Sequence, residues 1–152
     1  MDFRTDRLVL HAIDVPEAQR IHDQAPQPGD AWAADFPFTG DLIAITNFLR
    51  DTTFGHYLIR RRVDGLAIGG AGFKGCPAGG AVEIGYGLVP SARGHGYAAE
   101  AVTMLVRIAA DRGVTTVVAE TEPDNIASQR TLERAGFRQV DAAESCRYEF
   151  RI

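Results

Sequence analysis

The 152-residue chain has no apolar run approaching the ~20 residues that a membrane-spanning helix requires. Its N-terminus lacks the basic-then-apolar layout of a secretory leader, so cytoplasmic residence is the default expectation. Cysteine is scarce: Cys76 and Cys146 lie far apart and in no metal-ligand spacing, and they read as inert thiols rather than a functional disulfide. The four histidines, at 11, 22, 56 and 95, form no cluster with other ligands, which argues against a structural metal site. No basic stripe accompanies the net charge of −4. The one basic run, Arg60-Arg61-Arg62, abuts the turn signal Val63-Asp64-Gly65 and reads as a solvated hairpin tip. Nucleic acid is therefore not an expected partner, whereas a mildly acidic protein suits a cationic one such as an amine. Repeats, low-complexity tracts and interdomain linkers are also missing. What remains, with 45% apolar and 24% charged residues, is one ordinary globular domain over residues 1–152, long enough to bury a single core.

Periodicity orders that domain. Leu8 to Ile13 reads as a strand, and Asp14-Val15-Pro16-Glu17 as a capped helix start, the helix running to about Ala25. A loop with Trp32, Asp35, Phe36, Pro37 and Phe38 follows, then a helix over 41–50 capped by Thr39 or its neighbours. Residues 56–62 and 66–74 form a hairpin around Asp64-Gly65, a second loop spans 75–80, and another strand covers 81–89. Ala98, Ala101, Val102, Leu105, Ile108 and Ala109 recur at the 3.6-residue period of a helix with one buried face, which Gly113 ends. Thr115 to Thr121 has the β-branched, apolar character of a central parallel strand. Pro123-Asp124-Asn125 opens a last helix, Gly136 closes it, and 137–142 with 146–152 make a final hairpin. The strand–helix–strand unit at 81–121 implies a right-handed parallel crossover, and the hairpins imply antiparallel pairing elsewhere. The expected fold is thus mixed α/β: a largely antiparallel sheet with one central parallel pair and helices on both faces.

The densest signal is Val82-Glu83-Ile84-Gly85-Tyr86-Gly87-Leu88-Val89-Pro90 running into Ser91-Ala92-Arg93-Gly94-His95-Gly96-Tyr97-Ala98. A strand enters a glycine-rich turn that opens a long helix. The first N–H groups of a helix have no internal partner and carry partial positive charge, and Gly94 and Gly96 let the main chain approach a bulky anion. A phosphorylated cofactor is the natural guest. Gly94-His95-Gly96-Tyr97-Ala98-Ala99 formally satisfies the dinucleotide pattern G-x-G-x-x-A, with Glu120 ending the next strand. A nicotinamide-binding oxidoreductase fails on available chain, because about eighty residues precede the motif and too few follow it for the rest of such a sheet.

Read as Arg-x-x-Gly-x-Ala, Arg93 to Ala98 resembles the acetyl-coenzyme A loop of the GNAT superfamily of N-acetyltransferases. Glu83-Ile84-Gly85-Tyr86, Ala98-Ala99-Glu100-Ala101, Asn125 to Ser128, Leu132 to Phe137 and the opening Arg4 to Leu10 resemble its RimJ/RimL-like branch. The resemblance implies a GNAT fold with a splayed parallel strand pair, acetyl-coenzyme A as cosubstrate, no metal, and a primary amine as acceptor. A monomer or homodimer is expected. It also implies a bulge in the strand at 81–89, with Leu88 and Val89 offering backbone groups to the pantetheine arm and an N–H to the developing oxyanion. Arg93, Gly94, His95, Gly96, Tyr97 and Ala98 would cradle the pyrophosphate, and Arg130 would add charge. A coenzyme A-binding sensor without turnover is the alternative function.

The catalytic candidates are Glu83 as base, directly or through water, and Ser128 as proton donor or thiol-positioning group. Each has a plain reading beside it: a salt-bridged strand carboxylate, and a helix-start residue. Asn125 and Ser128 share a helical stripe with Leu132, which stands where many members of the superfamily carry a tyrosine. Trp32, Asp35 and Phe36, with Tyr86, are candidates for an acceptor wall, against a hydrophobic clamp as the structural reading. Deprotonating an α-amine of pKa near 8 at pH 7 costs about 1.4 kcal/mol and a lysine amine about 4.6 kcal/mol. With no strong base constellation around Glu83, a peptide N-terminus or another low-pKa amine is the expected acceptor.

Overall fold

Eight strands and four helices follow from these patterns in the computed structural model, which describes residues 1–152. The strands are β1 (Asp2–Arg4), β2 (Leu8–Ala12), β3 (His56–Arg61), β4 (Ala67–Ala78), β5 (Ala81–Leu88), β6 (Thr116–Thr121), β7 (Arg138–Ala142) and β8 (Cys146–Arg151). They form one sheet in the order β1-β2-β3-β4-β5-β6-β8-β7, antiparallel throughout except for β5 beside β6. The helices are α1 (Val15–His22), α2 (Thr39–Arg50), α3 (Tyr97–Asp111) and α4 (Ile126–Arg134). Strand alternation shows which face each covers. Gly85 and Gly87 look toward α2, whereas Tyr86 between them reaches α4, so α1 and α2 lie on one face and α3 and α4 on the other.

The predicted stripe of α3 is buried: Ala101, Val102, Leu105, Ile108 and Ala109 pack against Val82 and Ile84 of β5 and Leu8 and Leu10 of β2 in one core. Truncating Leu105, which is fully enclosed, would cost ~2–5 kcal/mol. Asp14 caps α1 by accepting the Glu17 N–H at 2.9 Å, as its spacing implies.

Several boundaries differ from expectation for local reasons. Helix α1 stops at His22 rather than near Ala25, because Gln24 takes a left-handed φ of 52° and turns the chain. Helix α2 begins at Thr39, and its first turn is closed by Asp41, whose carboxylate accepts the Phe38 N–H at 2.9 Å. The loop expected at 75–80 shrinks to Gly79-Gly80, since β4 resumes pairing with β5 at Ala78 after a register shift. Strand β1 was not foreseen; its three residues pair with β2 at the sheet edge. The bulge expected in β5 is absent: Lys74↔Glu83 through Gly69↔Leu88 pair in unbroken register. The strand splays by losing its parallel neighbour, not by bulging, so side chains keep strict alternation along it.

Candidate active site

The parallel ladder between β5 and β6 lasts three pairs, ending at Glu83↔Val118. Both strands continue, β5 to Leu88 and β6 to Thr121, with no pairing between them. Val89 donates its N–H to Ile68 of β4 at 2.9 Å. The alternation of an antiparallel ladder therefore turns the backbone groups of Tyr86 and Leu88 the other way, into the gap. Leu88 is thus available to a ligand, but the Val89 N–H, expected as an oxyanion donor, is held in the sheet.

A cleft of about 770 Å³ opens from this gap. Its walls are Tyr86 to Leu88, the loop Arg93–Ala98, and the α4 residues Asn125, Ser128, Arg130 and Arg134 among others. Gly94 and Gly96 take left-handed φ values of 84° and 79°, and no side chain caps α3. Its first N–H groups therefore face the cleft unpaired. Arg7 braces this loop from β2's approach, donating to the His95 carbonyl at 2.8 Å and to Glu100 at 2.9 Å, and stacking 4.6 Å over the Tyr97 ring. Burial would raise the Glu100 carboxyl, but hydrogen bonds from Thr5 and Arg7 outweigh it and hold it below the usual range. Arg93 folds back to donate to the Leu88 carbonyl at 3.1 Å.

At the inner end, Ser128 Oγ and Tyr86 Oη lie 2.7 Å apart. Asn125 caps α4 by accepting the Ser128 N–H at 3.1 Å, so its side chain positions Ser128. Burial pushes the Tyr86 phenol up to about 12, against the pull of Ser128, so it stays protonated and able to donate.

On the opposite face, a groove of about 450 Å³ runs between α2 and the strands β4 and β5. Four glycines, Gly70, Gly72, Gly85 and Gly87, form its floor: the His56 imidazole lies over the first two, the Lys74 stem over Gly85, and Gly87 is open, with Asp41 in the wall. Groove and cleft share Tyr86 and Gly87. The two cavities thus abut at a junction beside the gap where β5 and β6 part.

The remaining candidates lie elsewhere. Glu83 pairs with Lys74 Nζ at 3.0 Å and lines neither cavity. Trp32 packs edge-on against the buried Phe36 at 5.4 Å, and Asp35 accepts from the Ser91 N–H and hydroxyl, so these three form a clamp that pins the loop. The groove residues Asp41 and His56 were not singled out from sequence. The signal that could have found them is the alternating glycine in two neighbouring strands.

A sequence model of the acetyltransferase (GNAT) domain matches residues 4–138. The chain belongs to the GNAT acetyltransferases. It is 32% identical over 148 residues to the uncharacterized N-acetyltransferase YjdG of Bacillus subtilis, covering 88% of this chain and 87% of that one. The crystal structure of an acetyltransferase from Agrobacterium tumefaciens matches with a TM-score of 0.73 and 23% identity, over 100% of this chain and 95% of that chain. RimL, a ribosomal L7/L12 α-N-protein acetyltransferase solved in complex with coenzyme A, matches with a TM-score of 0.73 and 21% identity, over 100% and 98%. The GNAT fold expected from the motifs is therefore the fold observed, and the protein is an enzyme of the N-acetyltransferase family.

Proposed function

We propose that this GNAT enzyme transfers acetyl from acetyl-coenzyme A to a primary amine by direct attack in a ternary complex. The observation that carries the proposal is the meeting of two cavities, one per face of the sheet, at Tyr86 and Gly87. The cleft suits the cofactor: its loop offers unpaired N–H groups for a pyrophosphate, Arg130 and Arg134 supply charge, and the free edge of β5 can pair with an extended amide-bearing arm. The coenzyme A bound to RimL supports the same assignment. Acetyl-coenzyme A supplies an acyl group activated as a thioester.

The protein's part is positioning and charge. The Leu88 N–H, turned into the gap, donates to the carbonyl oxygen as negative charge grows on it. Within the hydroxyl pair one O–H donates to the other oxygen, and the remaining O–H donates toward the leaving sulfur. With its phenol near 12, Tyr86 is a poor proton source for a thiolate whose acid has a pKa near 8.5, so the hydroxyl pair stabilises the sulfur and does not give up a proton outright. The amine enters along the glycine floor, which admits a slender chain end.

Thiol release from acetyl-coenzyme A with a panel of peptides bearing free N-termini, small amines and N-blocked lysine peptides tests the proposal. Amine-dependent release with mass evidence of acetylated product is expected. Acetyl-coenzyme A binding without release for every amine would overturn it in favour of a binding role.

A further inference from the structure

Two buried titratable side chains meet at the inner corner of the groove. Asp41, in the first turn of α2, is 8% exposed, and so is His56, the first residue of β3. Asp41 Oδ2 accepts the Phe38 N–H, while Oδ1 turns over Gly70. The imidazole covers two glycines at once: a Cβ on Gly70 would stand 2.6 Å from Nε2, and one on Gly72 would stand 2.6 Å from Nδ1. That Gly70 position is also 3.4 Å from Asp41 Oδ1, so carboxylate and imidazole converge on one point. Phe48 backs the ring at 6.4 Å. Neither imidazole nitrogen has a partner in the protein. The one fully enclosed side-chain polar atom without a partner is Thr121 Oγ1, so both nitrogens keep some access from outside, and His56 lines the groove. A largely buried imidazole whose nitrogens have no protein partner, beside a largely buried carboxylate at a cavity wall, is placed to serve a ligand that supplies one.

Register fixes how near this corner is to the junction of groove and cleft. Gly70 is the cross-strand partner of Gly87, about 5.5 Å away by ladder geometry, and Gly87 lines both cavities. Glu83 is four residues further along β5, roughly 13 Å from Gly87, and is held by Lys74.

We propose that Asp41 and His56 together receive the acceptor ammonium, Asp41 taking its proton and His56 accepting a second N–H, so that this pair and not Glu83 prepares the nucleophile. The proposal rests on the acetyl-transfer reading of the two cavities. The ammonium gives one proton to Asp41 Oδ1, and the freed lone pair forms the bond to the acyl carbon as the carbon–sulfur bond breaks. The electron pair leaves on sulfur, which takes up the second proton lost by nitrogen, and Asp41 returns its proton to solvent. Burial pushes Asp41 up to about 6, against the Phe38 N–H and the charge of Arg93, so it is ionised at neutral pH yet a better base than an exposed carboxylate. Burial pushes His56 down to about 4, which keeps the imidazole an uncharged acceptor. The other charged or titratable groups lining the groove are Lys74 on β4, Asp51 after α2 and Tyr86 on β5.

Asp41→Asn preserves an oxygen for the Phe38 N–H and so keeps the helix start. At saturating acetyl-coenzyme A, Asp41→Asn is expected to lower kcat on the order of 100-fold at pH 7, with the loss shrinking toward pH 9, where amines deprotonate unaided. His56→Gln is expected to raise the amine KM about tenfold. A larger loss in Glu83→Gln than in Asp41→Asn, or a pH-independent loss in Asp41→Asn, overturns the assignment. A second measurement needs no turnover: titration of trialanine amide while following the His56 ring resonances. A shift in the wild type that is lost in Asp41→Asn supports the pair, even if no acetyl transfer is seen and the broader reading falls. No shift in a wild type that acetylates amines overturns the pair and leaves that reading intact.

Discussion

Removing either member of the Asp41–His56 pair should uncover a pH dependence of stability that the intact protein hides. Burial pushes the Asp41 carboxyl up to about 6, although the Phe38 N–H and Arg93 pull it down. As pH falls through 6, the folded state takes up a proton that the unfolded chain refuses until about 4. Stability from this group therefore rises on acidification, by about 1 kcal/mol between pH 7 and 5. His56 runs the other way. Burial pushes its imidazole down to about 4, so as pH falls through 6.5 the unfolded chain gains a proton and the folded state does not. That costs about 2 kcal/mol over the same interval. Carboxylates that partners hold below their ordinary range, such as Asp30 beside Arg20, Asp35 beside Ser91 and Asp64 beside Arg61, stay silent in this window. The two opposed terms leave the wild type nearly flat. Asp41→Asn should instead lose about 2 kcal/mol from pH 7 to 5, and His56→Gln should gain about 1 kcal/mol. Urea unfolding followed by Trp32 fluorescence at pH 7, 6 and 5 measures both slopes. Parallel profiles for the wild type and both variants would refute the opposed titrations.

Gly96→Val forces a β-branched residue into a φ of 79° and obstructs the mouth of α3; coenzyme A affinity should fall at least tenfold, about 1.4 kcal/mol, in a variant that stays folded. Unchanged affinity by calorimetry would sink the cradle assignment. Tyr86→Phe and Ser128→Ala should each lower kcat about tenfold and combine non-additively, because the two hydroxyls share one hydrogen bond; multiplicative losses in the double variant would show that they act independently. A peptide with a free N-terminus should outcompete its N-blocked, lysine-containing counterpart, given the ~3 kcal/mol difference in deprotonation cost, and preferential lysine acetylation would reverse that acceptor class.

The cleft was far more readable in the sequence than the groove, for a physical reason. The loop proposed to cradle phosphate is local: Arg93 to Ala98 contains its glycines, its turn and the helix start, so spacing along the chain reports spacing in space. The α3 stripe and the parallel unit at 81–121 were readable for the same reason. The groove is assembled from Asp41, His56, Gly70 and Gly85, which meet only through sheet register and the placing of α2. Trp32, Asp35 and Phe36 have the composition of a binding wall, but the burial of Phe36, the packing of Trp32 on it and the Ser91 hydrogen bonds to Asp35 are those of a clamp. Nothing local marks the end of α1 either, since Gln24 does what a glycine usually does.

The same distinction bears on the one departure from the superfamily pattern. Leu132 stands where a tyrosine is expected on the last helix, and in the structure it is wholly buried in the core. A phenol nevertheless stands at the cleft's inner end. It comes from Tyr86 on β5, whose unbroken alternation carries the side chain to the α4 face while its backbone lines the gap. Because Tyr86 is flanked by Gly85 and Gly87, one residue turns a hydroxyl into the cleft while its neighbours add no side chain to the groove. The Gly-Tyr-Gly run thus joins two demands that a helix tyrosine could not meet together: a donor on one face of the sheet and an open floor on the other.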